Sequence, residues 1–112
     1  MTFKDIYKAP FHTVYDGLYG VSSNGVKTFT GFSLEAQTHI DRIVKILNGE
    51  DAPKYKKADI AVQGAKLCVC GHIIIVRGWG MLIGTGGFNL SREDAAKIQD
   101  DFINWVLDSI TE

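Results

Sequence analysis

Short strand-forming runs alternate with turn dipeptides along the first third of the chain. Asp16-Gly17 and Asn24-Gly25 are pairs that favour two-residue hairpin turns, and each lies between such runs. The spacing predicts a meander with strands at His12 to Tyr15, Leu18 to Ser23 and Val26 to Thr30, in a register that sets Val21 opposite Thr28 and Val14 opposite Tyr19. The period then changes. Ser33 offers an N-cap, Ala36, Ile40, Ile43, Val44 and Leu47 recur at helical spacing, and Asn48-Gly49 supplies a stop, which predicts a first helix with Thr38, Asp41, Arg42 and Lys45 on its wet face.

Glu50 to Lys54 form a short polar connection in which Pro53 disfavours further helix. From Asp59 to Gly84 short strands return, broken by glycines, and the run His72 to Arg77 predicts a strand buried on both faces in the middle of the sheet. Ser91 with Asp94 resembles a capping box, Leu90 and Ala95 a hydrophobic staple, and a second helix is predicted to about Ile110. Gly31-Phe-Ser-Leu34 and Gly87-Phe-Asn-Leu90 precede the two helices and hint at a repeat of strand, strand, helix. The expected fold is one α+β domain over 1–112, with a mostly antiparallel sheet of about six or seven short strands and two helices packed on one face, in the order ββ(β)-α-ββββ-α.

Length and composition fit that picture: 112 residues, 46% hydrophobic and 22% charged, suffice for one core and exclude global disorder. The apolar runs are far shorter than the roughly 20 residues that span a bilayer. Met1-Thr2-Phe3-Lys4-Asp5 has no signal-like apolar region, so a cytoplasmic location with no membrane partner is expected. Cys68 and Cys70 are too close in sequence for a useful disulfide and are expected as reduced thiols. The net charge of -1 hides an acidic end, where Arg92 and Lys97 face Glu93, Asp94, Asp100, Asp101, Asp108 and Glu112. Neither part carries the one-signed field of a nucleic-acid binder.

Three stretches carry candidate chemistry. On a single strand Cys68, Cys70 and His72 would project to one face and could meet a metal, but a fourth ligand and paired C-x-x-C knuckles are missing, so no metal or other cofactor is expected. The same residues make a poor nucleophile pair, since same-face neighbours on a strand stand roughly 7 Å apart. Gly84, Thr85, Gly86 and Gly87 before a helix start could present backbone N–H groups to an anion, with Arg77 or Arg92 adding charge, although glycine-rich turns are the commoner reading. Lys54, Tyr55, Lys56 and Lys57 join three cations to an aromatic that could stack on a base, but no basic stripe continues from them. His39, on the flank of the first helix, reads as a hydrogen-bonded and partly buried histidine rather than a ligand, and His12 is uninformative.

The second helix carries the strongest functional hint. Ala95, Ala96, Ile98, Phe102, Ile103, Trp105, Val106, Leu107 and Ile110 spread over roughly 200° of its circumference, about twice the usual apolar stripe. One sheet face would not cover that arc, so Phe102, Trp105 and Leu107 are candidate interaction residues, against the first helix or a second copy of the chain.

The block Arg77-Gly-Trp-Gly80, Gly84-Thr-Gly-Gly87, Asn89-Leu-Ser91 and Ala95-Ala-Lys-Ile-Gln99 resembles small uncharacterised bacterial and phage-type proteins. The resemblance covers the last third and implies a bacterial or mobile-element origin, with no activity or site. No hydrolase, zinc-protease or Walker motif occurs, and an enzyme is disfavoured. The leading expectation is a non-catalytic accessory module acting by contact with another protein or with itself as a homodimer. The alternative is a small-ligand, anion or single-stranded nucleic-acid binder using Gly84 to Gly87 and Lys54 to Lys57.

Overall fold

The computed structural model describes residues 2–12, 14, 33–64, 66–76 and 91–112. Within them lie three helices, α1 (Phe3–Ile6), α2 (Leu34–Leu47) and α3 (Arg92–Ile110), and three strands, β1 (Ile60–Gln63), β2 (Lys66–Val69) and β3 (His72–Val76). The strands form one antiparallel sheet in the order β1-β2-β3.

This corrects the expected architecture. The α+β class stands, but among the described residues the sheet has three strands rather than six or seven, and three helices replace two. Of the expected meander, 13 and 15–30 fall outside the described residues, while His12 and Val14 sit in a bend and a turn rather than a strand. Strand β3 is not central either: β2 occupies the middle, and Ile73 is exposed. The register of β3 against β2 slips between Leu67, opposite Ile75, and Cys68, opposite Ile73, so Ile74 is an inserted residue without a cross-strand partner. Such a bulge breaks the strict alternation of faces, and adjacent Ile74 and Ile75 are both fully buried. An apolar run that looked buried on two faces instead turns inward twice at a bulge.

The two long helices follow their sequence signals. The Ser33 side chain accepts from the Ala36 amide, and the Ser91 side chain from that of Asp94. Helix α2 ends with Gly49 at φ +79, the Gly49 amide on the Ile46 carbonyl and the Glu50 amide on that of Lys45, the paired bonds of a Schellman ending. The β2–β3 connection is Cys70-Gly71, both at positive φ, which divides the single strand expected for Cys68, Cys70 and His72.

Helix α2 packs on β3 and on α3, and α1 packs on α3. The shared core joins Ile40, Ile43 and Val44 of α2, Leu67 and Val69 of β2, Ile74 and Ile75 of β3, and Ala95, Ile98, Phe102, Ile103, Val106 and Ile110 of α3. Ile6, Tyr7, Phe11 and Val14 extend it from the N-terminal segment. That segment covers part of the wide apolar arc of α3, on which Trp105 and Leu107 stay partly buried. Among the described residues, no helix is long and apolar enough to cross a membrane.

Candidate functional site

Phe3, Tyr7 and Phe11 recur every fourth residue, and although the helix stops at Ile6 all three rings meet α3. Thr2 and Asp5 fix the start of α1: the Thr2 amide donates to Asp5 Oδ2 at 2.6 Å, and that hydrogen bond holds the Asp5 carboxyl below its ordinary pKa. At the other end of the segment Asn48, the C-cap of α2, clasps the Phe11 backbone. Its Oδ1 accepts from the Phe11 amide and its Nδ2 donates to the Phe11 carbonyl, both at 2.7 Å. One side chain therefore ties the segment to the end of α2. Replacing Asn48 with Ala is expected to cost about 1 kcal/mol, since the bonds are only partly buried, read as a lower urea midpoint at unchanged slope.

The rings form a tilted cluster. Tyr7 lies 4.1 Å from Phe102 between centroids, Phe3 5.6 Å and Phe11 5.9 Å from Trp105, and Phe102 6.0 Å from Trp105. Between them opens a cavity of about 290 Å³ walled by Phe3, Tyr7, Phe11, Leu47 and Trp105, with Ala9 and the exposed Lys4 and Lys8 completing its lining. Burial pushes the Tyr7 phenol well above the usual tyrosine range, so it is a neutral wall with one polar atom. The site is an apolar depression whose lining includes two cations.

A second, polar cluster joins α2 to the segment before β1. The Tyr55 ring is buried beneath the Arg42 guanidinium, which lies 3.8 Å from the ring centroid. Arg42 also donates through Nε to the Pro53 carbonyl and through Nη2 to that of Lys54. The Tyr55 backbone pairs with the end of α3, its amide on the Ile110 carbonyl at 2.7 Å and its carbonyl taking the Glu112 amide at 3.1 Å. Its hydroxyl shares a 2.8 Å hydrogen bond with His39 Nδ1. His39 also lies 5.7 Å from His72 between ring centroids, and His72 Nε2 is 3.3 Å from Glu35 Oε2.

Burial, then the neighbouring His72 and Arg42, lower the His39 pKa below its ordinary 6.5, against a smaller opposing pull from Glu35. A histidine with a depressed folded pKa favours the neutral form in the native state. Its contribution is therefore complete above pH 6.5 and is lost as the pH falls through the depressed value. Chemical denaturation between pH 7.5 and 5 is expected to show stability falling on the acid side. His39→Gln should flatten that slope; an unchanged slope would assign it to other groups.

The sequence-predicted residues separate on this framework. Trp105 lines the aromatic cavity and Leu107 packs partly buried against the core, whereas Phe102 is fully buried within the chain. Lys54, Lys56 and Lys57 are exposed, whereas Tyr55 is 4% exposed under Arg42, so the loop offers cations without a stacking face. Cys68 is half-buried on β2, Cys70 lies exposed in the turn and His72 opens β3, so the three do not share one strand face. Both cysteines are free, and among the described residues no group of three or more His, Cys, Asp or Glu side chains is placed to hold a metal ion. Arg92 is exposed at the first turn of α3, while Arg77, Gly84, Thr85, Gly86 and Gly87 lie outside the described residues. His39 is partly buried and hydrogen-bonded, as its place on α2 predicts. Sequence reasoning missed Phe3, Tyr7 and Phe11, whose four-residue recurrence was the available signal. Comparison with known proteins finds no family model, curated protein or solved structure that matches this chain.

Proposed function

We propose that this chain is a non-catalytic protein-contact module whose receptor point is the aromatic cavity. The observation that carries this reading is the cavity of about 290 Å³ among Phe3, Tyr7, Phe11, Leu47 and Trp105, with Lys4 and Lys8 beside it. The cavity is at the small end of pockets that enclose a drug-sized molecule, roughly 300 Å³, and interface anchors insert one apolar side chain into a depression of this kind. The two ammonium groups favour an anchor flanked by carboxylates.

The test uses a Trp79→Phe background, in which Trp105 is the only tryptophan. A capped peptide with one leucine between pairs of glutamates is expected to change Trp105 emission saturably below about 1 mM, the range of a weak single-anchor contact. Added salt or Lys4→Glu with Lys8→Glu should weaken binding at least roughly tenfold, since charge complementarity is lost. No saturation, or equal binding of a lysine-flanked peptide, would remove the reading.

A further inference from the structure

We propose that the occupant of this cavity is a second copy of the chain, which inserts Leu34 and presents Glu35 to Lys4 and Lys8. The inference rests on reading the cavity as a receptor for an apolar anchor with an acidic flank. Leu34 is 84% exposed, far more than Val62 at 46% or Ile73 at 39%, the other exposed large hydrophobic residues among those described. It opens α2 directly after the capping Ser33, so the cap is complete without it. Glu35 follows, with a side chain 81% exposed although Oε2 lies 3.3 Å from His72 Nε2. Val62 stands between Ala61 and Gln63, and Ile73 between His72 and Ile74, so neither carries a carboxylate beside it. Among the described residues, Leu34 alone combines the two features that the cavity selects.

Leu34 and the cavity-lining Leu47 occupy opposite ends of α2, about 20 Å apart along a helix that rises 1.5 Å per residue. A chain held in this fold does not reach its own cavity with Leu34, and the contact runs between copies. Because anchor and receptor are different patches, one contact leaves a free anchor on one copy and a free cavity on the other, which a reciprocal contact in a two-fold pair or a further copy can fill. The contact centres on a single exposed leucine, and its weakness makes it concentration-dependent.

Sedimentation velocity of the whole chain over a concentration series to about 1 mM, the regime of weak contacts, tests this. Wild-type mass is expected to rise with concentration, while Leu34→Asp and the double variant Lys4→Glu/Lys8→Glu stay monomeric with unchanged circular dichroism. Mixing those two variants joins the intact cavity of the first to the intact Leu34 of the second, and should give a complex of one to one that grows no further. A wild type that is monomeric throughout, a Leu34→Asp variant that still associates, or a mixture that stays monomeric would each overturn the proposal. If the acidic leucine peptide binds while the wild type stays monomeric, the cavity reading survives and the second copy is excluded; if neither is seen, both fall.

Discussion

Phe102→Ala is expected to destabilise the fold by about 3–5 kcal/mol, the range for removing a buried aromatic ring. The ring is fully buried on α3 and lies among Phe3, Tyr7, Phe11 and Trp105, at centroid distances of 6.2, 4.1, 6.3 and 6.0 Å. Its removal takes away the surface on which the N-terminal segment packs and leaves a void that the tilted rings fill only in part. Domains are stable by about 5–15 kcal/mol in all, so the loss removes between about a fifth and the whole of the stability. Urea unfolding followed by far-ultraviolet circular dichroism reads the effect directly. A loss below about 1 kcal/mol, typical of surface sites, would mean that the segment does not depend on Phe102. A folded variant impaired only in association would restore Phe102 to the list of interaction residues.

That outcome bears on how much of the molecule its sequence discloses. Helices α2 and α3 are legible because capping serines, helical spacing and, for α2, a glycine stop agree at each level, and local agreement of this kind specifies structure strongly. Helix α1 is four residues long, too short for a periodic pattern to stand out, and what holds it is contact with α3 some 90 residues away in sequence. The bulge at Ile74 is equally silent, since an apolar run reads the same whether it is buried on two faces or kinked inward. The β2–β3 turn is silent as well, because Cys70 adopts φ 49, a conformation usually left to glycine or asparagine.

The candidate site divides in the same way. Trp105 is visible as an aromatic on the flank of an over-wide apolar arc, but the rings that complete its cavity come from the opposite end of the chain. Tyr55 shows the reverse error. Its three lysine neighbours suggest a solvent-facing loop, yet the Arg42 guanidinium and the end of α3 take the tyrosine inward while the lysines remain outside. Local sequence carries charge faithfully here, and loses the long-range partner that decides which side chain turns in.

Tyr7 and Gln99 form a polar contact inside the aromatic region, and a double-mutant cycle across them is expected to show strong coupling. The Tyr7 hydroxyl donates to Gln99 Oε1 at 3.3 Å, Gln99 is 1% exposed, and its Nε2 has no hydrogen-bond partner. A buried donor without an acceptor carries its full desolvation cost, so the amide is only half compensated. Tyr7→Phe removes the remaining partner and strands both ends of the amide, a loss expected at about 1–3 kcal/mol. Gln99→Leu removes the unpaired donor but leaves the Tyr7 hydroxyl without its acceptor, so its own effect is small in either direction. Combining the two replaces a strained polar pair by apolar groups of similar volume, and the double variant is expected to be at least as stable as the wild type. Denaturant midpoints of the four proteins give the interaction directly: coupling of about 1–3 kcal/mol is expected for groups in contact. Additive effects would mean that the 3.3 Å contact contributes nothing and that the Gln99 amide finds its hydrogen bonds elsewhere.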